Sequence, residues 1–520
     1  MRALSRLLGL LLLLPASALP AQSFPAPDPG LARIWRLGMD SSALEGLAQT
    51  LMDSLGPRLT GSPGHRAAND WLVKTYGAWG IPARNEQYGT WRGWRRGITH
   101  FDLVRPRVRS LEATMLAWSA GTRGKVEGPV VVLADVADAE AFRRWLPQAK
   151  GAFVLTSFPQ PSCRPDSSVK QFAVPAHFEA HVKARTEARD AWAARVKRTG
   201  LPTDSLHLAL AAAGARGIVT SLWSSGWGVT KIFSTRVPNV PVLDVSCEDY
   251  GLLFRLAERG QGPVVRLEAE SEFLGDQPVF NTIAEIKGSS RPDEVVMLSA
   301  HFDSWDGASG ATDNGTGTVV MMEAMRILRQ VLPSPTRTIL VGHWSGEEQG
   351  LNGSRAWAQD HPEVVQRMQA LFNQDNGTGR IQTLGLQGLL GAVPQLSTWM
   401  AKLPTELSRD VKLDSPGTPG RGGTDNASFI CYGAPAFGLG SLAWEYGTYT
   451  WHTNRDTYDK ISFPELRTNA TMVAMLAYLA SEDPATVPRD RRVLPPGTSG
   501  ETPQWPECSP PARSAAASRR

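Results

Sequence analysis

Three apolar runs in the second half of this chain end in groups that an apolar interior rejects. VVMLSA (295–300) leads into His301 and Asp303, TILVGHWSG (338–346) into Glu347 and Glu348, and MQALFNQ (368–374) into Asp375. An unpaired charge at the end of a buried strand is costly, so these residues need something to hold. The runs alternate with longer stretches of helical spacing, GTVVMMEAMRILRQVL and ELRTNATMVAMLAYLASE. That alternation spells an α/β sheet covered by helices. In open sheets of this class ligands gather outside the carboxyl ends of the strands, where the acidic residues fall.

Two further residues join the set. Asp313 lies in the glycine-rich loop HFDSWDGASGATDNGTG before a helix, and His452 lies in the polar, aromatic loop YGTYTWHTNRDTYDK before the last one. Two imidazoles and several carboxylates at one sheet edge make a nitrogen/oxygen metal site. If two ions share it, one carboxylate must bridge them across roughly 3.5–4 Å. Neighbouring side chains on an extended or loop backbone point different ways. One member of the pair Glu347-Glu348 can therefore bind metal while the other faces the attacking water as general base. Asp303, two residues after His301, is suited to orient that imidazole.

At these residues the chain resembles the M28 family of metallopeptidases. HFDSWDGASGATDNGTG, SGEEQGLNGS, NQDNGTG and WHTNRDTYDK follow the order of that family's motifs. NTIAEIKGS and GTDNASF, with GPRLTGS near the start, resemble its carboxypeptidase Q branch of secreted dipeptidases. The resemblance implies a mostly parallel sheet covered by helices, interrupted by a β-rich protease-associated domain. It also implies two zinc ions: Asp313 bridging, His301 and Asp375 completing one site, Glu348 and His452 the other. Glu347 is then the general base and Asp303 the support of His301. Two positions depart from the usual pattern. Gly423-Thr424-Asp425-Asn426 stands where many members have Ser-Asp-His, and Trp451 stands where many have the tyrosine that stabilises the oxyanion; Tyr446 and Tyr449 are nearby substitutes.

The ends of the chain set its compartment. Residues 1–21 combine Arg2 and Arg6, a short leucine-rich core and small residues at Ala16, Ala18 and Ala21, the features of a secretory signal peptide too short to span a bilayer comfortably. Export to the periplasm or outside the cell follows, with no lipid-anchor cysteine and no stable membrane anchor. The peptidase domain is expected over 30–95 and 279–485, the insert over 96–278, and a disordered Pro/Ser/Ala/Arg-rich tail over 486–520. The formal charge of +4 resides in the leader and tail arginines. The part between is slightly acidic, which argues against a nucleic-acid partner. Short peptides are the expected substrates, and the insert is suited to wall the cleft or to form a homodimer contact. An exported chain could pair Cys163 with Cys247.

Other features carry less. HFEAH (177–181) sets two histidines at helical spacing with Glu179 on the opposite side, a solvated helix face rather than a zinc motif. His343 reads as a packed strand histidine, and the Asn-x-Thr match at Asn314 adjoins the proposed bridging Asp313, where a glycan would block the site. The rival functions are a broad M28 aminopeptidase, a non-catalytic binding protein on the same fold and a single-zinc glutaminyl cyclase-like enzyme.

Overall fold

The apolar runs become the central strands of a mixed sheet. In the computed structural model, which describes residues 28–496 and 504–516, Arg291–His301 lies between Arg337–Trp344 and Met368–Gln374, parallel to both. Ala436–Ser441 extends the sheet in parallel beyond Met368–Gln374, and Ile381–Gly385 pairs antiparallel outside it. These strands are buried on both faces, which is why they read as near-continuous apolar runs rather than alternating ones. Helices Thr316–Val331 and Phe463–Glu482 pack against each other and the sheet, and their Val, Ile, Leu, Met and Ala side chains fill its largest core. Pro464 opens the second helix, where its missing N–H costs nothing.

The insert is joined through the sheet itself. Ala83–Arg105 and Val264–Ile286 form a long antiparallel ribbon that leaves the peptidase core and continues into the insert. The near end of Val264–Ile286 pairs with Arg337–Trp344, and its far end with Val126–Val132. Phe153–Leu155, Gly217–Thr220 and Val242–Val245 continue in parallel from there. Register shifts along the ribbon, for example at Gly93/Trp94 and Arg96/Thr99, bend it between the two bodies. The region 96–278 mixes strands with helices. Besides the two ribbon strands its strands are short, and helices Ala139–Trp145, Pro175–Arg198, Thr203–Ala212 and Cys247–Glu258 lie among them. Short apolar runs signalled strands clearly, whereas Pro175–Arg198 is so polar and exposed that only its charge pattern marks it.

The signal peptide at 1–21 lies outside the described residues. The tail differs from its expected disorder where it is described. Val487 and Leu494 are buried, Trp505 Nε1 donates to the Ile430 carbonyl, and Cys508 is joined to Cys431. Arg513 pairs with Asp360, and the Ala512 N–H donates to Asn352 Oδ1. Composition argued for disorder, but a disulfide and a few anchors are enough to dock a Pro-rich strand against a folded core. The second disulfide, Cys163–Cys247, is the pairing open to the sequence.

Candidate metal centre

All seven residues singled out in the sequence converge. The strand Arg291–His301 delivers a fully buried His301, whose Nε2 lies 3.1 Å from Asp375 Oδ1 at the end of the adjacent strand and 3.5 Å from Asp313 Oδ1. The other oxygen of Asp313 lies 3.1 Å from His452 Nε2, which is also 2.9 Å from Glu348 Oε2. Asp313 thus stands between two imidazoles with one oxygen toward each, the arrangement demanded of a bridging carboxylate. Candidate ligand atoms of His301, Glu347 and Asp375 lie within 4.8 Å of one another, as do those of Asp313, Glu348 and His452. Glu347 Oε2 is 3.9 Å from His301 Nε2, the longest of these approaches to His301.

The electrostatics fit cations. Burial pushes the Glu348 carboxyl up to about 7, helped by Asp313 and opposed by His452. Burial, then the neighbouring carboxylates of Asp375, Asp425 and Glu348, push Glu347 well above its ordinary range. Burial disfavours the charged form of His452, yet Glu348 and Asp313 raise it to about 9. Asp313 is also pushed up by burial, but the two imidazoles outweigh this and hold it low. Asp313 Oδ2 and Glu348 Oε1 are buried without hydrogen-bond partners among the described residues. Divalent ions would occupy those lone pairs and return the group to ionised carboxylates and neutral imidazoles.

The supporting residues were less legible. Asp303 holds more than His301: its carboxylate accepts from Thr60 Oγ1 at 3.1 Å and from the Glu347 and Glu348 N–H groups at 3.2 and 3.4 Å. His301 Nδ1 instead faces the Asp303 backbone carbonyl at 3.1 Å, with the carboxylate at 3.6 Å. Gly346 opens the Glu347-Glu348 turn at φ +66°, and a Cβ there would meet Tyr88 Oη at 2.5 Å. The sequence did not single out Asp456. It is buried, and its two oxygens accept from the Thr312 and Asp313 N–H groups at 2.7 and 3.0 Å, fixing the backbone of the bridging residue. Its place four residues after His452 in the same motif is the signal it carried.

Arg58, in the GPRLTGS stretch, is a second missed residue. Its buried guanidinium donates to the carbonyls of Phe302, Ser309 and Gly310 at 2.5–2.8 Å and so ties down the loop between His301 and Asp313.

The insert holds the other side of the centre. His452 has φ +59°, an uncommon conformation for a residue with a side chain. Its carbonyl accepts from the Ile232 N–H at 2.7 Å, and Lys231 and Thr453 form a β-bridge. Thr230 exchanges hydrogen bonds with Asn454, and Phe233 packs edge-on against the His452 ring. Backbone contacts from residues 230–233 thereby over-determine the strained conformation of His452. Trp451 stacks on His452 with centroids 4.0 Å apart. Tyr446 rather than Tyr449 borders the cleft that contains Asp313, Glu347, Glu348 and Asp375.

His343, His181 and the Asn314 match resolve simply. His343 is buried against Tyr76 Oη at 2.8 Å, and His181 pairs with Asp166 on the exposed helix. Asn314 is fully buried, so its Asn-x-Thr match is not open to a glycan as folded.

Buried carboxylates and imidazoles at the carboxyl edge of a helix-covered sheet define a metal-dependent hydrolase centre. Residues 281–477, which hold all seven candidate site residues, match the model of peptidase family M28, and the chain is a metallopeptidase. It is 26% identical to carboxypeptidase Q of Mus musculus over 441 residues, covering 84% of this chain and 86% of the relative. The peptidase M28 precursor of Shewanella amazonensis SB2B aligns with a TM-score of 0.64 at 25% identity, covering 90% of this chain and 98% of that one. BSAP, a zinc aminopeptidase from Bacillus subtilis, shares the fold with a TM-score of 0.52 at 19% identity, covering 85% and 96%.

Proposed function

We propose that this chain is an exported, zinc-dependent exopeptidase that hydrolyses the peptide bond of dipeptides or short peptides. The observation that carries the reading is the two-faced Asp313, with His301 at one oxygen and His452 at the other. His301, Asp313 and Asp375 would hold one zinc, and Asp313, Glu348 and His452 a second. Bound zinc would supply Lewis acidity toward the peptide carbonyl and toward the attacking water. Glu347 takes the proton of that water and delivers it to the leaving amine. Its carboxylate borders the cleft beside the ligands, within reach of a water held there. Tyr446, whose phenol borders the same cleft, is the candidate donor to the developing oxyanion in place of the tryptophan at 451. The two disulfides suit an oxidising compartment, consistent with export.

A broad aminopeptidase shares every one of these ligands, and substrate ends separate the two. The test is amino-acid release from a free dipeptide and from its N-acetylated twin, by the mature enzyme and by Glu347→Gln. The expected result is cleavage of the free dipeptide, abolished by chelation and reduced about 10²–10⁴-fold in kcat by Glu347→Gln. Full activity in Glu347→Gln would remove the base assignment. Stepwise trimming of long unblocked peptides would favour the aminopeptidase.

A further inference from the structure

The cleft beside the metal centre, of about 420 Å³, is lined by Asp313, Glu347, Glu348, Asp375 and His452 and, outside the candidate ligands, by the guanidinium of Arg355. Arg355 lies on helix Asn352–Asp360, which follows directly from the Glu347-Glu348 turn. It is half-buried; its Nη1 donates to the Gly350 carbonyl at 2.9 Å, and no carboxylate oxygen pairs with it among the described residues. Other withdrawn arginines have carboxylate or carbonyl partners. Arg96 is bidentate on Asp306, Arg337 pairs with Glu294, and Arg58 spends its fork on carbonyls. The other ammonium near the centre, Lys231, stands over the Trp451 ring at 4.2 Å and is not part of the cleft lining. Arg355 also borders a small recess with Gly420 and Arg421.

A half-buried guanidinium with no carboxylate oxygen in ion-pair range has donors left to meet a ligand anion. Its planar fork matches a carboxylate in a bidentate pair. Space for one is present: Gly422 and Gly423 line the same cleft, and a Cβ on either would meet nothing within 4 Å. We propose that Arg355 receives the C-terminal α-carboxylate of a short peptide whose scissile carbonyl lies at the metal centre. The inference rests on the peptidase reading above and deepens it, because a fixed carboxylate measures the substrate from its C-terminal end. One residue then lies between the scissile bond and the arginine. Dipeptides and carboxy-terminal release are favoured over aminopeptidase action on long chains.

The test compares alanyl-leucine with alanyl-leucinamide on the metal-loaded wild type, Arg355→Gln and Arg355→Lys. Wild type is expected to prefer the acid over the amide at least roughly tenfold in kcat/KM. Arg355→Gln should raise KM for the acid roughly ten- to hundred-fold, the range of a charge-assisted hydrogen-bonded contact, and bring the acid-to-amide ratio toward one. Arg355→Lys, which keeps the charge without the fork, should fall between. Equal losses on acid and amide, or a wild type indifferent to the amide, would overturn the assignment. Calorimetric titration of leucine against leucinamide reads the same contact without turnover. Equal affinities for the two would overturn it whatever the kinetics. Wild type that cleaves neither peptide yet binds leucine better than leucinamide would sink the peptidase reading and leave the carboxylate site standing.

Discussion

Replacing Asp456 by alanine should loosen the metal centre from behind, without touching a ligand. The carboxylate is 2% exposed and accepts two backbone N–H groups, from Thr312 at 2.7 Å and Asp313 at 3.0 Å. Burial, with Asp313 nearby, pushes this carboxyl up to about 7, and the two N–H groups pull against that shift. Alanine leaves both donors buried and unpaired, at about 1–3 kcal/mol each, so Asp456→Ala should cost about 2–6 kcal/mol. Asparagine keeps one acceptor but turns an amide N–H₂ toward the other donor, so Asp456→Asn should recover about half of that loss. Because the stranded donors belong to the residues that aim the Asp313 carboxylate, part of the cost should appear as weaker metal binding, about 10–100-fold. Zinc affinity by competition with a chromophoric chelator, and urea unfolding followed by near-UV circular dichroism, would measure the two parts. An alanine variant with unchanged zinc affinity and stability within about 0.5 kcal/mol would refute the reasoning.

Two further outcomes follow from the same structure. His65 is buried, stacked on Phe302, with Nε2 2.8 Å from Ser345 Oγ, and burial lowers its pKa to about 4. The folded value lies below the unfolded one of about 6.5, so its stability is complete above that pH and is lost as pH falls toward 4. About 2 kcal/mol should disappear between pH 7 and pH 5, measured by urea unfolding, and His65→Gln should flatten that dependence; an unchanged slope would argue against it. Breaking the Cys431–Cys508 bond, which spans 77 residues, with Cys508→Ser should lower stability by about 2–4 kcal/mol. It should also expose the tail around Trp505 to limited proteolysis, and a tail that stays resistant would mean the other anchors suffice.

Much of the site was written in short local patterns. An apolar run that stops at a histidine or carboxylate specifies both a buried strand and a polar strand end, so His301, Glu347, Glu348 and Asp375 could be located without coordinates. Asp313 and His452 were legible through their loops and through the family's motifs. Asp456 and Arg58 were not, because their work is to hydrogen-bond backbone groups, and any backbone offers the same N–H and C=O. Nothing in their identity names the partner. Asp303 was legible in part: its neighbourhood to His301 was plain, but its two N–H partners come from a turn 44 and 45 residues further along the chain.

The sequence by itself determined the α/β architecture, the sheet edge that carries the chemistry and the residue types that meet there, because burial and backbone periodicity are local properties of the chain. Only the tertiary structure decided that residue 452 is held by the Ile232 N–H, that the tail is pinned along the core, and that Arg355 borders the acidic cleft. Each of those depends on which distant groups come within a few ångströms of one another. Hydrogen bonds and ion pairs act over that range in space, whatever the separation along the chain.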